Sequence, residues 1–215
     1  MKKVAVILSG CGFKDGSEIH ETISSLLAIE QNGAEYTCFS IDKKQFRVVN
    51  HLTGDEVDEE RSMLVEAARI YRKAPKTLEK LSANDFDALV IPGGSGAALN
   101  LCSYGYDGEK YIVDKNLENI ILEFVKLGKP ICALCIAPVI LAKVLKNVRV
   151  TIGNDEYVSK IIEKVGAVPI KTQSGEICVD DNYRVVTAPC YMLADNIKTV
   201  YDEVLKAITK LLTGF

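Results

Sequence analysis

The sequence predicts an α/β protein with a mostly parallel sheet and helices on both faces. Three observations carry this. Strand-like and helix-like segments alternate along the chain. The short strands, such as Val4–Leu8 and Ala88–Ile91, are apolar at every position, as strands covered on both sides must be. Gly33, Gly128 and Gly166 each follow a helical pattern, where a left-handed C-cap is commonly required. Alternation of this kind yields parallel pairing through helical crossovers.

Taken in order, Lys3–Leu8 reads as a buried first strand and Glu18–Gln31 as an amphipathic helix ending before Gly33. Glu35–Ile41 is the next strand. Phe46–Thr53, followed by Gly54-Asp55, looks like an added strand and turn that interrupts the alternation. Asp58–Arg72 has helical periodicity, and Ala88–Ile91 is a fully apolar strand. Leu101–Val113 is rich in Tyr and Gly and reads as a lid or interface loop. Asn116–Leu127 is a helix, Pro130–Leu134 a strand and Ala137–Leu145 a helix. Arg149–Ile152 reads as a strand, Tyr157–Val165 as a helix, and Ile177–Val186 as a hairpin turning at Asp180-Asp181-Asn182. Arg184–Thr187 is the return strand and Leu193–Leu212 the last helix.

The 215 residues suit one domain over residues 1–215, with no internal repeat or low-complexity linker. Lys+Arg 26 against Asp+Glu 29 gives a net charge of −3, which argues against a nucleic-acid or anionic-membrane partner. No apolar run approaches the roughly 20 residues of a bilayer span. The two lysines and short apolar run at the N-terminus do not make a secretory signal. Seven cysteines, several in apolar strands, suit buried free thiols rather than a secreted disulfide scaffold. Together these predict a soluble intracellular protein, placed in the cytoplasm.

Ligands of open parallel sheets bind at the carboxyl ends of the strands, so the loops there are where chemistry is sought. In Ile131-Cys132-Ala133-Leu134-Cys135-Ile136-Ala137-Pro138 an apolar strand runs straight into a helix at Cys135. A nucleophile on such an elbow needs small residues two places before and after it, and Ala133 and Ala137 supply them. Pro138 suits a first helical turn. A helix N-terminus lowers a thiol pKa; a buried core cysteine is the plainer alternative. Cys132 and Cys135 also spell C-x-x-C, but Cys132 falls inside the strand, and zinc would need further ligands where the only histidines are His20 and His51. Pro92-Gly93-Gly94-Ser95-Gly96 follows another strand and suits either an oxyanion hole or a tight turn. Gly10-Cys11-Gly12 is a weak dinucleotide signal, because Asp15 stands where a third glycine belongs. Glu18 and Glu21 share one face of the first helix while His20 points away. They either complement the helix dipole or present a carboxylate to the site.

In combination these segments resemble the DJ-1/PfpI branch of the class I glutamine amidotransferase-like superfamily. The carriers are Ser9-Gly10-Cys11-Gly12, Asp15–Glu21, Asn50–Gly54, Val90–Gly94, Cys135–Pro138 and Thr187-Ala188-Pro189. Several resemble the ElbB subgroup of isoprenoid-biosynthesis glyoxalases. The resemblance implies a flavodoxin-like sandwich, a homodimer, and no metal or organic cofactor. It implies Cys135 as nucleophile, Glu21 as the carboxylate touching it, and Gly94 with the Ile136 N–H as oxyanion hole. His20, Gly93, Ser95, Gly10 and Cys11 are further candidates for the substrate site. The sequence departs from the family's proteases and amidotransferases. Ile136 stands where proteases carry histidine, and no histidine lies near Gly153–Asp155.

A Cys–Glu site without histidine suits small α-oxoaldehydes. The expectation is a cofactor-independent glyoxalase converting glyoxal to glycolate, with Glu21 holding a proton against a Cys135 thiolate. The competing expectation is a non-catalytic redox-sensing or chaperone-like protein that uses an oxidisable Cys135.

Overall fold

The computed structural model describes residues 1–215. In chain order the elements are β1 (Lys3–Ile7), α1 (Ile19–Gln31), β2 (Glu35–Ser40), β3 (Val48–Val49), β4 (Glu56–Val57), α2 (Met63–Tyr71) and β5 (Lys76–Thr77). There follow β6 (Ala88–Ile91), α3 (Ser95–Leu99), α4 (Tyr104–Asp107), α5 (Lys115–Lys126), β7 (Ile131–Leu134) and α6 (Pro138–Val144). The chain ends with β8 (Arg149–Val150), α7 (Glu156–Lys164), β9 (Val168–Pro169), β10 (Cys178–Asp180), β11 (Val185–Ala188) and α8 (Ile197–Thr213).

The central sheet has the order β10-β11-β7-β6-β1-β2-β5, and only the β10 edge pairs antiparallel. Side-chain alternation along each strand divides the core between two layers. Val4, Val6, Val90, Cys132 and Leu134 pack with Leu26 and Ile29 of α1 and with Val200, Val204 and Ile208 of α8. Ala5, Ile7, Leu89, Ile91, Ile131 and Ala133 face the other way, onto α5, α6 and α7. Strands β1, β6 and β7 therefore bury both faces, which is why they read as unbroken apolar runs. Sheet order reverses between β1 and β6: β2 and β5 lie to one side, β7 and β11 to the other. In such sheets the crevice at the reversal is the ligand site.

Gly33, Gly128 and Gly166 have φ of 68°, 64° and 91°, as their C-cap positions require. Four expectations need correction. Arg149–Ile152 does not join the central sheet; only Arg149–Val150 is strand, paired with Val168–Pro169 in a separate two-stranded sheet. Asp58–Arg61 is not helical, because the Ser62 side chain caps α2 by accepting from Val65 N. Similarly, Asn196 caps α8, so the helix begins at Ile197 and leaves Cys190–Met192 as a 3₁₀ turn. Leu101–Val113 is not a lid over Cys135. Its ends are bridged at Cys102 and Val113, and it lines a separate cleft of about 490 Å³ with Lys43, Phe46 and Met63.

Candidate active site

Cys135 sits where β7 ends, with a left-handed φ of 57°. That region is uncommon for a residue with a Cβ and is held only by a well-determined surround. Here the Cys135 N–H donates to the Ala188 carbonyl at 2.9 Å, and Ala137 N donates to the Leu134 carbonyl at 2.9 Å. Ala133 and Ala137 are fully buried on either side, and Pro138 opens α6. The elbow thus follows from a strand tied to β11, small flanking residues and a proline-initiated helix.

Glu21 arrives from the first turn of α1. The Glu18 carboxylate caps that helix, accepting from the Glu21 N–H at 2.7 Å, and Glu18 N donates to the Gly93 carbonyl at 3.0 Å. The cap thereby locks α1 to the loop after β6. Glu21 is completely buried. Its carboxyl accepts from Gly93 N at 2.9 Å and from Tyr191 N at 3.4 Å, and it hydrogen-bonds Cys135. A Cβ at position 93 would lie 2.5 Å from Cys135 Cβ and 2.7 Å from Glu21 Oε2. Only glycine lets the two groups meet. Gly94 has φ 92°, and a Cβ there would strike the backbone of Gly16 and Glu18. The N–H groups of Gly94 and Ile136 both donate toward the Cys135 sulfur. Both are placed to favour negative charge on that sulfur.

Burial dominates the electrostatics. It raises the Glu21 pKa to about 8, with the negative Glu18 adding to the effect and the Gly93, Tyr191 and Cys135 hydrogen bonds opposing it. It also raises the Cys135 thiol, helped by Glu21 and opposed by the Gly94 N–H. The helix terminus alone would lower the thiol; the neighbouring carboxyl opposes it, and desolvation, which the sequence does not show, decides the direction upward. At neutral pH the pair holds both protons, and one leaves as pH rises.

The remaining candidates divide. Gly93 touches both members of the pair. Ser95 opens α3, its N–H donating to the Phe13 carbonyl at 2.7 Å. His20 is half exposed, as its helix face dictates, and its Nδ1 lies 2.6 Å from the Tyr191 hydroxyl. Phe13, Glu18, His20 and Tyr191 line a cleft of about 380 Å³. Gly10 lies behind the site, against Gly16 and Gln45. Cys11 is not brought to the pair; its charged neighbours are Glu66, Arg69, Asp15 and Arg61. The Gly10–Gly16 loop serves as backing, since Cβ atoms at Gly94 and Gly96 would collide with Gly16.

Sequence reasoning missed Tyr191 and Glu203. The loop after β11 was marked by its position at the sheet edge, but nothing local distinguished Tyr191 within it. Glu203 faces inward from α8 and is fully buried. Its carboxylate accepts from Gly175 N at 2.6 Å, Cys190 N at 2.7 Å and Ser174 Oγ at 3.3 Å.

The DJ-1/PfpI family model matches residues 2–194. The chain belongs to the DJ-1/PfpI family. Its fold is accordingly the flavodoxin-like sandwich, as in the solved isoprenoid biosynthesis protein with amidotransferase-like domain from Ehrlichia chaffeensis. That structure is 34% identical with TM-score 0.92, over 99% of this chain and all of the other. Human glutamine amidotransferase-like class 1 domain-containing protein 3, mitochondrial, is 38% identical over 98% of this chain and 82% of its own length. The rat mitochondrial ES1 protein homolog is 37% identical over 98% of this chain and 83% of its own length. Drosophila melanogaster DJ-1beta shares the fold at TM-score 0.59 and 19% identity. These relatives, named as mitochondrial proteins, contradict the cytoplasmic expectation. That expectation rested on net charge and free thiols, which do not distinguish one reducing compartment from another.

Proposed function

We propose that this protein is a cofactor-independent glyoxalase that converts glyoxal to glycolate. The observation that carries the reading is the Glu21 carboxyl, fully buried against Cys135, with its pKa pushed up by that burial to about 8. Such a group can both donate and remove a proton near neutral pH.

Glu21 is the first of the pair to lose its proton as pH rises; in the reactive form its carboxylate has taken the Cys135 proton, leaving a thiolate beside protonated Glu21. The sulfur adds to one aldehyde carbon, and the Gly94 and Ile136 N–H groups receive the oxyanion. Glu21 gives its proton to that oxygen. As a carboxylate it then removes the hydrogen from the sulfur-bearing carbon to form an enediol and returns it to the second carbon, while the proton of the first hydroxyl passes to the second oxygen. The product is a glycolyl thioester on Cys135. Water cleaves the thioester, releasing glycolate and restoring the pair, so that glyoxal and water give glycolate and one proton. His20 and Tyr191 line a cleft with Phe13 and Glu18, Tyr191 N reaches Glu21, and the two side chains are suited to hold the second carbonyl oxygen of a two-carbon substrate.

The homodimer belongs to the same proposal. Ile19, Ile23 and Leu27 form a stripe at helical spacing on the outer face of α1, each more than 40% exposed. A second copy is the partner assigned to it.

The test is glycolate formation from glyoxal, without glutathione, by reduced wild type beside Cys135→Ser. Turnover in the wild type that disappears in the variant is expected. No turnover by wild type carrying a free Cys135 thiol would overturn the reading.

A further inference from the structure

Two features of the sequence have no part in the reaction above: the Asn50–Gly54 segment and the half-exposed Phe13 of the first loop. The structure brings them together. His51 lies between β3 and β4, and its ring meets that of Phe13 edge to face, with centroids 5.6 Å apart. Its partners fix its tautomer: Nδ1–H donates to the Val49 carbonyl at 3.0 Å, and Nε2 accepts from the Lys14 N–H at 3.3 Å. The Asp15 carboxylate accepts from the Val49 N–H at 2.7 Å, so the β3–β4 hairpin and the first loop hold each other. A Cβ at position 12 would stand 2.5 Å from His51 Nε2; glycine there admits the ring. The Lys14 ammonium stands over the Phe13 ring, 5.5 Å from its centroid. These contacts fix in place an aromatic ring that the core does not use.

That ring lines the cleft of about 380 Å³ with Glu18, His20 and Tyr191. Three of the four residues are tied by hydrogen bonds to the candidate catalytic pair or to the loop beside it. Glu18 accepts from the Glu21 N–H at 2.7 Å, and the Tyr191 N–H donates to Glu21 at 3.4 Å. The Phe13 carbonyl accepts at 2.7 Å from the N–H of Ser95, one residue past Gly94. Clefts of roughly 300–1,000 Å³ take molecules much larger than glyoxal. The walls set the class of what fills this one. The Phe13 and Tyr191 rings favour an apolar, planar group, since paired rings gain contact beyond simple burial. The Glu18 carboxylate disfavours a negative charge.

We propose that Phe13, braced by His51, is the specificity-determining wall of this cleft, and that the preferred substrate is an uncharged α-oxoaldehyde with an apolar, planar substituent. The inference rests on the glyoxalase reading and narrows its substrate. The Cys135 sulfur adds to the aldehyde carbon as before, and the substituent on the adjacent ketone carbon lies against Phe13. Phenylglyoxal and water then give mandelate and one proton, as glyoxal gives glycolate. His51 touches no substrate; it is a positioning residue that acts through Phe13.

The test measures kcat/KM for phenylglyoxal and for glyoxal with reduced wild type, Phe13→Ala and His51→Ala. Beside it, NMR titration follows binding of 2-hydroxyacetophenone, an uncharged aryl ketone with no aldehyde. Wild type should favour phenylglyoxal by about tenfold or more. Phe13→Ala should lower the phenylglyoxal-to-glyoxal ratio by about tenfold, and His51→Ala by about threefold, both through KM for phenylglyoxal. Damage to the fold would instead lower both substrates together. 2-Hydroxyacetophenone should bind Phe13→Ala about fivefold more weakly than wild type. A wild type that favours glyoxal, or a ratio unmoved in Phe13→Ala, would overturn the proposal. The two readings fail separately. Glyoxal turnover without a Phe13-dependent ratio retains the glyoxalase alone. No turnover of either aldehyde sinks the glyoxalase, and the aryl preference of the cleft is then decided by whether 2-hydroxyacetophenone binds wild type and loses affinity in Phe13→Ala.

Discussion

Two buried glutamates stand within reach of buried thiols in this molecule, and they are built differently. Glu203 accepts from two backbone N–H groups at 2.6 and 2.7 Å and from Ser174. Those short bonds tie α8 to the 174–175 turn and to the loop carrying Tyr191. Glu21 accepts one ordinary backbone bond, from Gly93, and one long one, from Tyr191 at 3.4 Å. Burial raises the pKa of both, but only for Glu21 does the shift reach about 8. A carboxyl saturated by fixed donors is a brace. A carboxyl left under-bonded in a dry site keeps its proton and has capacity left for a thiol. The same residue type beside the same residue type thus takes two roles, decided by the shortness of the backbone bonds, by the extra Ser174 hydroxyl on Glu203, and by the negative Glu18 that faces Glu21 alone.

The largest effect that follows is on turnover. Glu21→Gln keeps shape but cannot shuttle a proton, so kcat/KM for glyoxal should fall more than a hundredfold in steady-state assays, in line with the roughly 10²–10⁴ expected of general acid–base groups. Gly93→Ala comes next. Its methyl would overlap Cys135 Cβ and Glu21 Oε2, so activity should drop at least tenfold, with stability falling by about 1–3 kcal/mol in urea melts.

Glu203→Gln sharpens the contrast. It should cost about 1–3 kcal/mol of stability by losing charge-assisted bonds to Gly175 and Cys190. Its activity loss should stay below tenfold and leave the pH profile unmoved. An activity loss equal to that of Glu21→Gln would erase the distinction between brace and acid.

The most gradual effect is a pH trend in stability. Below pH 4.5 the Glu21 carboxyl is protonated in folded and unfolded chains alike. Between 4.5 and about 8 the unfolded chain releases this proton and the native state keeps it. The stability contributed is therefore complete below 4.5 and is lost as pH rises through about 8, amounting to a few kcal/mol. Urea midpoints should decline over that window, and Glu21→Gln should flatten the decline.

Much of the site was legible in the sequence because its signals are local. An apolar strand running into Cys135, alanines on either side and Pro138 define the elbow without tertiary knowledge. The diglycine at 93–94 announces a close approach, although not what approaches. Glu18 and Glu21 were placed on one helix face by geometry alone. Tyr191 and Glu203 were not legible, since Tyr191 meets Glu21 across 170 residues and Glu203 meets its partners through packing of α8. The largest cause of the Cys135 shift, its burial, was not legible for the same reason. The helix terminus that lowers a thiol pKa is local, whereas the burial that raises it is assembled by four loops.

The central claim, that one shared and displaced proton on the Glu21–Cys135 pair governs the chemistry, is tested most directly by the pH dependence of kcat/KM for glyoxal. Wild type should rise with pH through an inflection near 8 and then level off, and Glu21→Gln should lose that inflection along with most of its activity. A wild-type profile flat from pH 6 to 9, or an inflection that survives in Glu21→Gln, would contradict the account.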